Sequence, residues 1–410
     1  MKLLILTQYY PPETGAPQNR LHELAVRLKQ KGVEVQVLTA LPNYPKMEIF
    51  ETYKKKNKRE ETIDGIKVFR SWIYVSKSKS IIARLLNYFS FVFSSYIRGR
   101  RLGNYDYLMV ESPPLFLGYS AIALAKRTKA KLVFNVSDLW PESAEKLQIV
   151  SNKRLLKMAY NLEAKCYKRA FLITGQTQGI VKDIKSRFSE KMVHWLPNGV
   201  DTNYYNPQLK NFSTFRKSNG IHDQDLVFLY AGIIGHAQGL EIILSAAKSF
   251  LKEKQIKFVI LGDGPVKETL LQMKKDFKLS NVLFLNSVSK SEMPDVVSGC
   301  DVALVPLKKL DLFLGAIPSK VFENLSMQKP VLLGVDGEAR ELFINQGKAG
   351  WYYEPENLQE LILKIKEIKK SPEEILKRGV NGRRYVKEFF ERDVIAEKFH
   401  SILNEKLNKT

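Results

Sequence analysis

Cysteine is nearly absent from this chain of 410 residues. Its two copies, Cys166 and Cys300, offer neither a metal-ligand spacing nor a disulfide framework, which fits a reducing cytosol. Long apolar runs are missing too. The most apolar long segment, residues 81–97 (IIARLLNYFSFVFSSYI), has 17 residues with Arg84 inside it. That is short for a membrane span, and the charge makes spanning costly. The opening MKLLILTQYYPPE does not read as a signal peptide, because four apolar residues lead into Tyr-Tyr-Pro-Pro rather than a small-residue cleavage site. Acidic residues are short in the first half. Residues 1–200 carry 34 Lys/Arg against 16 Asp/Glu, whereas residues 201–410 carry 31 against 27. The net charge of +22 therefore sits mainly in the first half, which implies an anionic partner there: a phospholipid surface, a nucleic acid or a phosphorylated substrate.

What is present is an α/β pattern with length for two domains. Residues 2–7 form an apolar run that reads as a buried strand, and a Pro- and Gly-rich loop follows over 9–17. Residues 19–31 carry Leu21, Leu24, Ala25 and Leu28 at helical spacing, Gly32 stops them, and 33–39 reads as the next strand. This βαβ unit implies a parallel sheet covered by helices. Further strands are expected at 106–110, 131–136, 171–174 and about 193. Residues 202–223 are slack and polar, as a linker would be. The alternation then restarts with strands at 226–230, 257–261, 282–285 and 302–306. The reading is two similar α/β domains, 1–200 and 201–384.

One stretch pairs a helix start with groups suited to a nucleotide: residues 317–333, IPSKVFENLSMQKPVLL. Ser319 reads as the cap, with Val321, Phe322 and Leu325 at helical spacing. Lys320 and Glu323 then share one face of the first turns. Unpaired N–H groups and a lysine suit a phosphate, and a carboxylate suits a ribose diol. The plain alternative is a capped helix with a surface Lys–Glu pair.

Other candidates lie where strands end, since ligands of open parallel sheets bind there. Asp138 and Glu142 follow the strand at 131–136, and Asp138 reads equally as a turn cap. Gly15 lies between strand and helix, where backbone can approach a phosphate. Gly232, Gly235, Gln238 and Gly239 form one glycine turn and Gly262-Asp263-Gly264-Pro265 a second; neither fits the dinucleotide fingerprint or the P-loop. His236 reads as a turn residue. Residues 43–67 are polar and charged, reading as a loop with the cluster Lys54-Lys55-Lys56-Asn57-Lys58-Arg59, but no nucleic-acid recognition motif accompanies it. The 81–97 segment, flanked by cations, suits a helix at a bilayer interface or a buried domain helix.

The ordered set PPETG, DLWPES, PNGVD, YAGIIGHAQGL, GDGP and PSKVFE…KPVL resembles glycosyltransferases of the GT-B fold, family 4, over essentially the whole chain. Within them it is similar to the WbuB-type and colanic-acid-type transferases of bacterial surface polysaccharides, some proposed to transfer N-acetyl-L-fucosamine. The resemblance implies two Rossmann-like domains with an interdomain cleft. The first domain would bind the acceptor and the second a UDP-sugar, with helices at about 385–410 crossing back onto the first. It implies retaining transfer without an essential metal or other cofactor, so that helix ends and basic groups must neutralise the departing diphosphate. It assigns Glu13, Asp138 and Glu142 as candidate catalytic carboxylates. Gly15, Gly232, Gly235, Gln238, Gly262, Ser319, Lys320 and Glu323 become donor-binding candidates. The implied partners are a UDP-sugar, a polyprenyl-diphosphate-linked saccharide and an anionic membrane, with no nucleic acid. The implied location is cytoplasmic, peripheral on the inner face of the bacterial cytoplasmic membrane, in O-antigen or capsule synthesis.

The match has gaps. The family's two glutamates, seven residues apart, fall at Gly315 and Glu323, so only the ribose contact is retained; Asp311 is a substitute candidate for the first. Its diphosphate-binding Arg and Lys fall at Ile233 and Gln238, and its first-domain His at Ser137. A UDP-sugar 2-epimerase of the same fold and a non-catalytic basic binding protein are the competing readings.

Overall fold

The computed structural model describes residues 1–54, 59–78, 80–146, 150, 152–209 and 212–408. The chain forms two compact units, Met1–Asn198 with Arg392–Thr410, and Gly199–Glu391.

The sheet of the first unit has the order β3-β4-β2-β1-β5-β6-β7-β8. Its strands are β1 (Lys2–Leu6), β2 (Glu34–Ala40), β3 (Glu60–Ile63), β4 (Ile66–Ser71), β5 (Tyr107–Ser112), β6 (Lys131–Val136), β7 (Leu172–Gly175) and β8 (Val193–Trp195). All pairs are parallel except β3 with β4. Side chains alternate across a strand, so a sheet covered on both faces needs continuous apolar runs. Leu4 and Leu6 of β1 join a core with Phe91, Leu124 and Leu162, while Leu3 and Ile5 join another with Leu24, Leu28 and Phe399.

Two sequence readings of this unit need correction. Residues 43–67 are not one loop: they contain β3, and β4 follows at once. Asp64 and Gly65 both have positive φ, 47° and 77°, and form the two-residue connection of a hairpin. Asp-Gly between alternating residues is the signal that was overlooked. Lys55–Lys58 of the basic cluster lie outside the described residues, and Lys54 pairs with Glu51.

The C-terminal segment divides. The helix Arg392–Asn408 packs in the first unit, where Tyr107 Oη donates to the Leu403 carbonyl at 2.7 Å and Arg27 meets Asp393 at 2.8 Å. Residues 385–391, expected to cross back as well, stay in the second unit. There Phe390 is fully buried, with its ring 5.1 Å from that of Phe322 and 5.6 Å from that of Phe343.

The second unit carries an all-parallel sheet of order β11-β10-β9-β12-β13-β14. Its strands are β9 (Leu226–Ala231), β10 (Ile256–Leu261), β11 (Val282–Leu285), β12 (Val302–Pro306), β13 (Val331–Gly334) and β14 (Gly350–Tyr352). Residues 202–223 are more than a linker. They include the helix Phe212–Ser218, whose Arg216 is buried and donates through Nη2 to both carboxylate oxygens of Asp301, at 2.9 and 3.0 Å. Arg216 also donates to the carbonyls of Gly299 and Asp225, which fixes this segment against the amino-terminal ends of β9 and β12. Polar composition hid a structural arginine.

Removing the Phe390 ring leaves a cavity among Phe322, Phe343 and Tyr385. Phe390→Ala is expected to destabilise the second unit by about 3–4 kcal/mol, read as an earlier urea midpoint. An unchanged midpoint would contradict the packing described.

Candidate functional site

In an open parallel sheet the switch in strand order leaves a crevice at the carboxyl edge. In the second unit that switch lies between β9 and β12, and the groups singled out from the sequence gather there. The glycine turn after β9 packs directly on the one after β10. Gly232 N donates to the Leu261 carbonyl at 2.9 Å and Ile234 N to that of Asp263 at 2.8 Å. A Cβ on Gly262 would lie 1.9 Å from the Gly232 carbonyl oxygen, and its φ of +146° disfavours a side chain as well. Glycine at 262 is therefore needed for close approach of two backbones.

Lys320 enters this edge from the helix Ser319–Ser326. Its Nζ lies 3.6 Å from the centroid of the Tyr230 ring, and a Cβ added at Gly232 would sit 2.9 Å from it. The Tyr230 hydroxyl donates to the Ile233 carbonyl at 2.5 Å, which holds the ring in place beneath the turn. Part of the lysine stem remains accessible, but its ammonium end is enclosed. That burial pushes its pKa down from 10.5 to about 7, against the opposing pull of Glu323. Among the described residues the ammonium has no hydrogen-bond or salt-bridge partner. The lysine end thus lies on an aromatic face beside the glycine turn, with the Glu323 carboxylate acting on it.

Ser319 is not the cap. Pro318, with an extended ψ of 127°, takes that position, no side chain caps the helix, and Ser319 becomes its first residue. Glu323 follows one turn after Lys320 and is half-buried. Gln238 does not reach outward, because its Oε1 would lie 2.7 Å from a Cβ on Gly235, so the amide folds over its own turn. Asp311 and Gly315 bound a short 3-10 helix, with Asp311 exposed. Lys308 was missed in the sequence. It directly follows Leu307 at the end of β12, its backbone N–H donates to Ala237 at 3.0 Å, and its stem lies against Gly239. A lysine at the carboxyl end of a central strand was the available signal.

The first unit places its candidates differently. Glu13 is 1% exposed and accepts N–H bonds from Asn43 at 2.8 Å, Tyr44 at 2.9 Å and Tyr10 at 3.2 Å. Burial pushes its pKa up and those bonds hold it down. Through these three bonds Glu13 fastens two loops together. Glu142 forms an exposed i,i+4 pair with Lys146 at 2.6 Å. Asp138 accepts from Ser143 Oγ at 2.6 Å, a side-chain bond that ties the strand end to the short helix after it. Gly15 caps the helix Ala16–Gln30 in extended backbone, and a Cβ there would meet the Gln18 side chain. It belongs to the first unit, so the donor group drawn from the sequence is divided between the two.

The switch in the first sheet lies between β1 and β5, and a buried polar network sits at the carboxyl edge beside it. Arg20 Nη2 donates to Glu111 at 2.6 Å and to Ser137 Oγ at 2.7 Å. Asn135 donates to Glu111, and Thr174 donates to Asn135 at 2.6 Å. Arg20 and Glu111 escaped the sequence reading, although a carboxylate at the end of the apolar strand YLMVES marks such an edge. Among the described residues no group of three or more His, Cys, Asp or Glu is placed to hold a metal ion.

Lowering a lysine pKa in the fold makes stability pH-dependent. Between pH 7 and 10.5 the unfolded chain binds a proton at Lys320 that the folded chain does not, so stability rises with pH through that window. Lys320→Met is expected to flatten that rise in urea midpoints between pH 6.5 and 9.5. A parallel rise in the variant would place the ammonium in water.

Comparison with known proteins accords with this geometry. Residues 15–199 match the model "Glycosyl transferase 4-like domain" and residues 211–385 match "Glycosyl transferases group 1". An Escherichia coli (strain K12) protein named for colanic acid biosynthesis, the glycosyl transferase WcaI, is 25% identical over 97% of this chain and 98% of its own. Among solved structures, sucrose-phosphate synthase from Thermosynechococcus elongatus superposes with a TM-score of 0.77 at 14% identity, covering all of both chains. Anabaena Alr3699/HepE, solved with UDP and glucose, gives 0.72 at 18% identity over 99% and 100% of the two chains. WaaG, a glycosyltransferase involved in lipopolysaccharide biosynthesis, gives 0.67 at 15% over 98% and 99%. The chain is a glycosyltransferase of the GT-B fold, made of a glycosyl transferase 4-like domain followed by a group 1 domain.

Proposed function

We propose that this enzyme transfers a sugar from a UDP-sugar to a lipid-diphosphate-linked saccharide in the synthesis of a bacterial surface polysaccharide. The observation that carries the donor assignment is the enclosed Lys320 ammonium, unpaired among the described residues, beside the Gly232 turn and the start of the helix Ser319–Ser326. A diphosphate supplies the missing counter-charge and meets the free N–H groups of the helix end. As charge builds on the leaving diphosphate, a nearby ammonium stabilises the transition state more than the ground state. Glu323 is assigned the ribose hydroxyls, and Lys308 a second contact to phosphate. Alr3699/HepE, solved with UDP-glucose, shares the fold, and WcaI is named for a surface polysaccharide. An acetamido-deoxyhexose is the donor class favoured by the resemblance in sequence, with the anomeric configuration retained. We assign charge neutralisation at the diphosphate to these groups of the chain rather than to a metal.

The first unit is assigned the acceptor and a peripheral place at an anionic membrane on the cytoplasmic side. The helix Ile81–Gly99 supports this. It docks by the narrow stripe Ala83, Asn87, Phe91, Ser95 and Gly99 and turns Ile81, Ile82, Leu86, Phe89 and Phe93 outward, 44–73% exposed. Gly99 permits the contact, since a Cβ there would lie 2.6 Å from Leu124. Among the described residues no helix is long and apolar enough to cross a membrane.

Lys320→Ala is expected to lose transfer and most UDP affinity at pH 7 while melting within a few degrees of the wild type. Turnover near wild type would remove Lys320 from the mechanism. A screen of UDP-sugars against lipid-diphosphate saccharides, with anomeric analysis of the product, identifies both substrates. Replacing Ile82, Leu86 and Phe89 together by Ser should release the protein from anionic vesicles. Unchanged cosedimentation would leave this helix without a membrane role.

A further inference from the structure

The outward face of Ile81–Gly99 ends in a cavity that contains none of the residues assigned to the donor. Its volume is about 620 Å³, and its walls include Arg59, Arg98, Arg101, Trp72, Phe93 and Ile97. Phe93, 68% exposed, belongs both to the apolar face and to the cavity wall, and Trp72 beside it is 52% exposed. The apolar surface and the cavity are therefore continuous.

The charge is one-sided. Residues 65–105 contain eight Lys/Arg and no Asp/Glu. Within the cavity Glu60 pairs with Arg98 through Nη2, and the fully buried Arg70 is taken up by Glu61 and two backbone carbonyls. Arg98 Nε is buried with no hydrogen-bond partner. Arg59 and Arg101 have no ion-pair partner among the described residues. Two guanidinium groups thus remain without counter-charge, above a floor of large apolar side chains.

We propose that this cavity is a headgroup site for an anionic phospholipid. Arg59 and Arg101 take the phosphate, since guanidinium groups bind phosphate oxygens through paired N–H donors. Trp72, Phe93 and Ile97 meet the glycerol and the first methylenes, as aromatic side chains do at a bilayer boundary. A bare phosphate would leave that apolar floor uncovered, and a neutral lipid would leave both arginines unpaired. The proposal rests on the reading that the first unit meets an anionic membrane, and it adds that one lipid is bound at a defined place.

The test compares two variants of equal charge loss on phosphatidylcholine vesicles containing phosphatidylglycerol. Arg59→Gln with Arg101→Gln empties the cavity of its free cations. Arg84→Gln with Arg100→Gln removes the same charge on and at the end of the same helix, outside the cavity. Attraction to the surface field alone depends on charge near the bilayer and not on the cavity, so it treats the two pairs alike. A headgroup site is expected to cost the cavity variant about tenfold more vesicle affinity than the control, with both proteins melting as the wild type. Equal losses would overturn the site while leaving membrane binding in place. Failure of the wild type to bind any anionic vesicle would overturn the membrane reading beneath it. Displacement from vesicles by millimolar inorganic phosphate at constant ionic strength would assign the cavity to a free anion and overturn the lipid.

Discussion

Burying an amine against an aromatic face is costly for a fold to keep, and the carboxyl edge of the second sheet keeps one, Lys320. Lys320 reaches the Tyr230 ring only because two glycine turns pack backbone to backbone beside it. The ring stays in place because its hydroxyl is used by the Ile233 carbonyl. Burial then lowers the pKa of the amine to about 7, so near neutral pH it is a mixture of charged and neutral forms. Under the proposed donor assignment, a dianionic ligand offsets that penalty. The usual cations of this fold family are replaced by Ile233 and Gln238, and Ile233 is 67% exposed. In the proposed donor site, one enclosed lysine, with Lys308 on the same edge, supplies the charge that the turn lacks.

The first unit follows the opposite rule. Its buried charges are paired, and they hold loops rather than await a ligand. Glu13 joins the segment after β1 to the one after β2, Arg70 joins the same region to β4, and Arg20 with Glu111 closes the carboxyl edge of β5 and β6. What this unit leaves unsatisfied is on its surface: a helix with its large apolar residues outward, and a cavity with free arginines. Both call for an amphiphilic anionic partner.

How far the sequence was legible depended on distance along the chain. Strands β1, β2, β5, β6 and β9 through β13 were visible because each is a short apolar run between polar turns. The lysine's place was visible because a helix start after a strand in a parallel sheet must fall at the carboxyl edge. Pairings between distant residues were not visible. Arg216 and Asp301 look like surface charges until 85 residues of chain are folded between them. The part Glu13 plays in holding loops was hidden because nothing local shows that Asn43 and Tyr44 aim their N–H groups at it. The Asp64–Gly65 hairpin was readable and was passed over because charge dominated that stretch. The orientation of Ile81–Gly99 was open in the sequence, since its apolar residues nearly encircle the helix. Ser95 and Gly99 decided it by fitting closely against the neighbouring helix.

The central claim, that a diphosphate completes the charge of Lys320, is tested most directly by counting protons. Titration calorimetry of UDP at pH 8, in two buffers of different ionisation enthalpy, gives the number of protons taken up on binding. With the free amine near 7 and the bound amine fully charged, the wild type should take up most of one proton per UDP bound. Binding of UDP without proton uptake would contradict the account.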